Sequence, residues 1–372
     1  MSFAFDALRR APDLEGPGLV AADAADRLLL DESAATRRDL PPGALVVIGD
    51  THGALTLASA HAGADAIRVH QDALTGERAL AANAARLGFS GRFESLSAAG
   101  PLVRDARVVL LRLPRSLDAL RDLAGLIAAH AAPEVVVFAG GRLKHMTPAM
   151  NAVLGEFFGR LDVTRARQKS RVLVARDPHD GRDPAPAQAC HDGIVVCAYG
   201  GAFAGARIDG GTRLLLSSLP ATLPGGTRDD PFIDLACGTG VVAATLALRH
   251  PLAHVYASDQ SAVAVVSARA TVSANGVAAR VEVVRDDALA RRAEATASFV
   301  ALNPPFHSGA AVTDRIAPHL FADSARVLRP GGELWCVWNS PLRYRPALER
   351  VVGSTRQVAR DARFTVTVST RR

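Results

Sequence analysis

Residues 303–306, Asn-Pro-Pro-Phe, carry groups at a spacing suited to methylating a planar nitrogen. An exocyclic amine on a purine is a weak nucleophile, because its lone pair is delocalised into the ring. Two acceptors set against its N–H groups can turn that lone pair toward an electrophilic methyl, and the Asn303 side-chain oxygen and the Pro304 carbonyl supply two. Pro304 has a fixed φ and Pro305 restricts the residue before it, so these carbonyls are rigidly presented, and Phe306 offers a face for a base to stack on. Asn-Pro also starts ordinary turns, in which Asn303 would merely cap the bend. What precedes it favours the chemistry: 297–302 (ASFVAL) reads as an apolar buried strand, so the turn falls at a strand's carboxyl end, where open α/β sheets place ligands.

Residues 231–248 (PFIDLACGTGVVAATLAL) read as a strand ending in Asp234, a tight turn through Ala236, Cys237, Gly238 and Gly240, and a helix from about Val241. Glycine lets the backbone approach a ligand, and the amides opening a helix bind a carboxylate or a phosphate. A second strand, 254–258, leads into Asp259 and Gln260; Asp259 stands 19 residues after Gly240, where an acid can accept both hydroxyls of an adenosine ribose. A third strand, 280–284, leads into Asp286 and Asp287, and Asp287 is placed for an adenine amine, with an exposed loop carboxylate as the alternative. A nicotinamide dinucleotide fits the same spacing. The missing third glycine of that fingerprint, and the Asn303 turn later in the same sheet, favour S-adenosylmethionine. Its expected contacts are Asp234, Ala236, Cys237, Gly238, Gly240, Asp259, Gln260, Asp286, Asp287 and Asn303. Cys237 is expected to be a small packing residue and not a nucleophile.

From Asp229 onward the chain resembles the catalytic half of the tandem-domain ribosomal RNA guanine-N2 methyltransferases, on NPPFH at 303–307 and GGEL at 331–334. Phe203 with IDGGTRLLLSSL at 208–219 is similar to the family's segment ahead of its cofactor domain, and AVTDRIAPHLF at 311–321 is nearer the large-subunit enzyme. The resemblance implies two tandem class I (Rossmann-like) α/β methyltransferase domains, the N-terminal one degenerate and the C-terminal one catalytic. It implies S-adenosylmethionine as cofactor and guanine N2 in ribosomal RNA as target. Asn303, Pro304 and Phe306 would act at the amine, with Pro305, His307 and Phe203 near the base. Ala236 departs from the family's first loop glycine, and fits if its φ is negative. Glutamine methylation in a release factor and adenine methylation in nucleic acid use a similar turn. A non-catalytic ribosome-assembly factor is the reading from another class.

A second set of strands, 44–50, 66–72, 107–114 and 134–141, repeats the order and rough spacing of the first set, with Asp72 matched to Asp259. Its chemistry is missing: Leu113-Pro114-Arg115 stands where the other copy has its Asn-Pro-Pro-Phe turn. The expected division is a degenerate domain over 1–176, kept for structure and for gripping RNA, a Pro-rich linker over 177–192, and a catalytic domain over 193–372.

At 372 residues the chain is long enough for two domains, each with its own core. No apolar run reaches 18 residues and the first 15 hold no signal-peptide core, so a cytosolic protein without membrane spans is expected. The four cysteines lack metal-site spacing, and His52, His61, His70 and His145 form no ligand pattern, so neither metal nor disulfide is expected. A duplicated chain is expected to work as a monomer. The net charge of +6 leans toward a polyanion such as ribosomal RNA. Two arginine clusters suit phosphate contacts: 343–372, with Arg343, Arg371 and Arg372 and with Tyr344 as a base-stacking candidate, and 160–176.

Overall fold

The computed structural model describes residues 3–16, 18–305 and 310–372, with side chains at all of these but 310–315. The chain divides into two compact units: Met1–Ala185 with Tyr199–Gly201, and Pro186–Ala198 with Ala202–Arg372. Both are α/β, and both use one strand order.

In the first unit the strands are β1 (Leu45–Ile48), β2 (Ile67–His70), β3 (Phe93–Ser95), β4 (Val108–Arg112), β5 (Val136–Arg142), β6 (Phe158–Val163) and β7 (Ser170–Pro178), ordered β3-β2-β1-β4-β5-β7-β6. The hairpin β8 (Ala187–His191) and β9 (Ile194–Ala198) opens the second unit. Then come β10 (Phe232–Leu235), β11 (Val255–Asp259), β12 (Val281–Arg285), β13 (Ala297–Leu302), β14 (Leu328–Asn339), β15 (Thr355–Arg360) and β16 (Phe364–Thr370), ordered β12-β11-β10-β13-β14-β16-β15. In each sheet five strands pair in parallel, the next, β7 or β16, runs antiparallel to them, and the edge strand beyond it, β6 or β15, pairs antiparallel with that one. This is the Rossmann-like methyltransferase arrangement twice over.

The parallel strands are continuous apolar runs because both their faces are covered. Along β13, Phe299 and Ala301 enter one core with Phe232, Val255 and Trp335. Val300 and Leu302 enter the other, with Ile233, Leu235 and Trp338. That alternation decides where the next side chain goes: Asn303 continues the Phe299–Ala301 series, on the side packed by the helix Gly210–Ser218.

The stretch expected as a linker is structured. β7 runs on to Pro178, the Arg182 N–H donates to the Gly125 carbonyl at 3.1 Å, and Asp183 lies 2.7 Å from His130. At Gly181 a Cβ would meet the backbone of Ala129 at 2.2 Å, so glycine is what lets this segment lie against the helix Leu117–His130. Beyond Ala185 the chain enters β8 within two residues.

The sheet registers also correct one sequence alignment. Ile48 pairs with His70, as Leu235 pairs with Ser258, so Gln71 and not Asp72 stands where Asp259 stands. The first copy has a neutral side chain at that position. Among the described residues no helix is long and apolar enough to cross a membrane, and no three His, Cys, Asp or Glu groups could hold a metal.

Candidate active site

The second unit gathers its chemistry at the carboxyl ends of β10, β11 and β13. Gly240 takes a left-handed φ of 74° at the start of the helix Val241–Arg249, where a Cβ would press on Ala268 Cα at 2.9 Å, so the tight entry needs glycine. Gly238 differs. Its φ is 54° and a Cβ there would meet nothing within 4 Å, which leaves open space over the turn for a ligand.

Asp234 is buried at the end of β10, and its Oδ2 accepts the Ala243 N–H at 2.9 Å. Burial, reinforced by the Asp259 charge, pushes its carboxyl up to about 7. Asp259 accepts the Gly238 N–H at 3.0 Å and the Ser261 N–H at 2.9 Å, so it shapes the turn directly. Asp286 is fully buried and accepts the Asp287 and Arg291 N–H groups, each at 2.9 Å, so it anchors the loop that presents Asp287. Asp287 lies 3.5 Å from His319, whose pKa it raises by hydrogen bonding and charge. Gln260 follows β11, and its carbonyl accepts from Arg285 Nε at 3.3 Å.

Cys237 is buried beside Asp259 and Asp234, and burial together with those charges pushes its thiol far up, so it packs and does not ionise. Ala236 corrects an expectation. Its φ is 57°, in the left-handed region, so alanine occupies a site that favours glycine.

Asn303 shows the most about mechanism. Its Nδ2 donates to Asp209 Oδ2 at 3.1 Å and to Thr212 Oγ1 at 3.0 Å. Asp209 caps the helix Gly210–Ser218, accepting the N–H groups of Gly211 and Thr212. A carboxylate can only accept, so it draws the NH2 side of the carboxamide and turns Oδ1 the other way. That Oδ1 is buried and has no hydrogen-bond partner among the described residues. A buried acceptor left open is costly unless something fills it. Neither Asp209 nor Thr212 was singled out from sequence, although an aspartate placed three residues before a threonine, ahead of Leu214–Leu216, is a readable helix start.

Pro304 is buried and Pro305 exposed, while Phe306 and His307 lie outside the described residues. Phe203 is exposed, 49% accessible, on the segment leading to Asp209. Arg343, with a left-handed φ of 49°, and Tyr344 follow β14 at the same sheet edge as Asn303. Tyr344 is a core residue, not a stacking platform: it is buried against Phe321 and Trp338, with ring centroids 5.4 and 6.0 Å away. Arg371 and Arg372 are not brought to the site. β16 runs antiparallel to β14 and ends opposite Glu333, which carries both arginines to the amino edge of the parallel strands, where they bind the carbonyls of Arg326 and Glu349.

The first unit repeats this frame with the chemistry closed off. Ile48 pairs with Leu111 as Leu235 pairs with Leu302, so Arg112 stands at the Asn303 position. Its guanidinium lies 2.8 Å from both Asp23 and Asp26, and Asp23 caps the helix Ala24–Ser33 as Asp209 caps its own. Over the loop before Gly53 lies the N-terminal segment: Asp13 sits 2.9 Å from His52, and Asn83 ties the Arg9 N–H and carbonyl to the His52 carbonyl.

Residues 2–179 match the family described as RLMG N-terminal domain, and residues 193–368 match Methyltransferase small domain. The chain is 32% identical to the ribosomal RNA large subunit methyltransferase G of Shewanella amazonensis over 368 residues, which is 96% of this chain and 94% of that one. It belongs to that family. To the protein of the same name in Streptomyces avermitilis it is 36% identical, with 97% and 95% covered. Among solved structures, the T. thermophilus 16S rRNA N2 guanine methyltransferase, determined with AdoMet and guanosine, matches 96% of this chain and 97% of its own, with a TM-score of 0.74. At 21% identity that likeness is one of fold, and it spans both units of the family's tandem design.

Proposed function

We propose that the chain methylates the exocyclic N2 of a guanine in large-subunit ribosomal RNA. As a family member it is an S-adenosylmethionine-dependent methyltransferase, and the residues of the second unit fit that cofactor: Asp259 toward the ribose, Asp287 toward the adenine amine, and the Gly238 turn with its open space alongside. When bound, the cofactor supplies an electrophilic methyl on a sulfonium sulfur. The single observation that carries the mechanism is the open, buried Asn303 Oδ1. With Asp209 and Thr212 holding the amide nitrogen, Oδ1 accepts one N–H of the target amine, and the Pro304 carbonyl accepts the other. The lone pair then projects out of the base plane. As the N–C bond formed and the methyl–sulfur bond broke, its electron pair leaving with a neutral thioether, the nitrogen would become cationic and lose its proton to solvent, so no strong base is required. The first unit, with Arg112 in the place of the acceptor and the N-terminal segment over its loop, is read as the non-catalytic copy. The protein works as a monomer in the cytosol, where its RNA is.

Nucleoside mass spectrometry of large-subunit RNA from cells lacking the gene tests this. One N2-methylguanine is expected to disappear, and to return with the wild-type gene but not with Asn303→Ala. An unchanged nucleoside profile would refute the proposal.

A further inference from the structure

In the first unit, the sheet edge corresponding to the methylation edge of the second carries a cluster of cations. β4 and β5 run parallel with Arg112 opposite Gly140, so their carboxyl ends open side by side. Arg115 follows β4. Arg142 closes β5, and Lys144 and His145 belong to the short turn Leu143–His145 after it. Lys169 joins them, because its carbonyl accepts the Leu143 N–H at 2.9 Å. Arg115, Lys144, His145 and Lys169 are exposed, and Arg142 partly so. These groups share one electrostatic neighbourhood: after its own desolvation, Arg115, Lys144 and Arg142 are what depress the His145 pKa, with Asp23 opposing them.

Arg160, Arg167 and Arg176 of the same unit, by contrast, are internally paired. Arg160 and Arg176 share Asp162, at 3.0 and 2.7 Å, and Arg167 lies 3.1 Å from Asp31. Among the described residues, no ion pair engages Arg115, Arg142, Lys144 or Lys169, and the Arg142 Nε is buried without an acceptor. Unneutralised like charges at one edge repel one another and lower stability slightly, a cost that an anion removes. The second unit has Ser340-Pro341-Leu342 at the corresponding turn, so the cations belong to the non-catalytic copy.

We infer that this lip of the first unit binds backbone phosphates of the RNA substrate. Several cations along an edge, with Leu143 as the exposed large apolar side chain among them, suit a phosphate chain; a protein partner would need an apolar centre. The inference rests on the RNA reading above and assigns the contact to Arg115, Arg142, Lys144 and Lys169 in place of the paired Arg160, Arg167 and Arg176.

The test is binding of the full-length protein to protein-free large-subunit ribosomal RNA between about 50 and 200 mM salt. Arg115→Ala with Lys144→Ala changes exposed side chains and is expected to flatten the log–log salt slope by about two units, with affinity at low salt falling about tenfold or more. Arg160→Ala with Arg176→Ala, two charges that share the one Asp162 carboxylate, is expected to flatten the slope by less, by about one unit at most. S-adenosylmethionine binding, followed by calorimetry, is expected to be the same in all three proteins. An unchanged slope in the first variant, with wild-type RNA binding and methylation intact, overturns this inference alone and leaves the lip to an acidic protein surface. A wild-type protein that binds no ribosomal RNA overturns both this inference and the proposed function.

Discussion

The Asp209 carboxylate holds the Asn303 carboxamide nitrogen at 3.1 Å while it caps the helix Gly210–Ser218 through the same oxygen. A helix cap is thereby also the element that fixes which way the Asn303 amide is turned. Thr212, one turn into that helix, adds a second acceptor at 3.0 Å.

Asn303→Ala is expected to lower kcat at least about a hundredfold while S-adenosylmethionine affinity stays near wild type, since the lost acceptor matters most as the nitrogen pyramidalises. Asp209→Ser keeps a good cap but loses the obligate acceptor, and is expected to lower kcat about tenfold. In the Asn303→Ala background the same Asp209→Ser change should cost almost nothing further, because its effect runs through Asn303. Single-turnover methylation of ribosomal RNA by the four proteins measures this. Additive losses would mean that Asp209 acts only as a helix cap.

The cofactor is expected to bind once per chain. Asp259→Ala should weaken S-adenosylmethionine binding by about 1.5 to 3 kcal/mol, as a charge-assisted hydrogen bond to the ribose is lost and the Gly238 turn loses its anchor. Gln71→Ala, at the matching position of the first copy, should leave it unchanged. Isothermal calorimetry decides both points; a stoichiometry of two, or a loss confined to Gln71→Ala, would exchange the roles of the two units.

Asp234 predicts a pH dependence of stability for the cofactor-free protein. Its carboxyl rises from an ordinary 3.8 to about 7 on folding, so between those values the folded state holds a proton that the unfolded chain has released. Stability therefore falls as pH rises through this window and levels off above it. Asp234→Asn removes that contribution while keeping an acceptor for the Ala243 N–H. The variant's stability relative to wild type should grow from pH 4 to pH 7 by up to about 4 kcal/mol, read from urea denaturation at each pH. A difference that does not change with pH would show that Asp234 stays ionised.

Ala236 offers a gain. A left-handed alanine costs about 1 to 2 kcal/mol, and the extra freedom of unfolded glycine returns about half of that, so Ala236→Gly is expected to stabilise by about 0.5 to 1 kcal/mol. Urea midpoints compare the two proteins, and a destabilised glycine variant would mean that the Ala236 methyl makes packing contacts worth more than the strain.

The parallel strands, the glycine turn and the strand end that precedes Asn303 were legible because each is written in local chemistry: apolar runs buried on two faces, glycines at forced φ, and an amide ahead of prolines. What the chain brings together from a distance was not. Arg371 and Arg372 look basic and available in sequence, and only the antiparallel return of β16 shows that they end at the far edge. Tyr344 sits between two arginines in sequence, but its neighbours in space are Phe321 and Trp338. The alignment of Asp72 with Asp259 was off by one residue, which strand register settles and spacing alone does not. Asp209 was passed over because a cap serves its own helix first; its reach to a residue 94 positions later depends on how that helix packs on the sheet.

The Arg112 ion pairs also make the first unit depend on this arginine. Arginine there neutralises Asp23 and Asp26, and burial has already pushed the Asp26 carboxyl up to about 6 even with the guanidinium beside it. Restoring asparagine at position 112 would leave those carboxylates facing one another, with buried Asp50 nearby, before any acceptor function returned. Asparagine at position 112 alone would therefore trade a closed charge network for two unneutralised carboxylates, and the guanidinium is held in place by the acids that it neutralises.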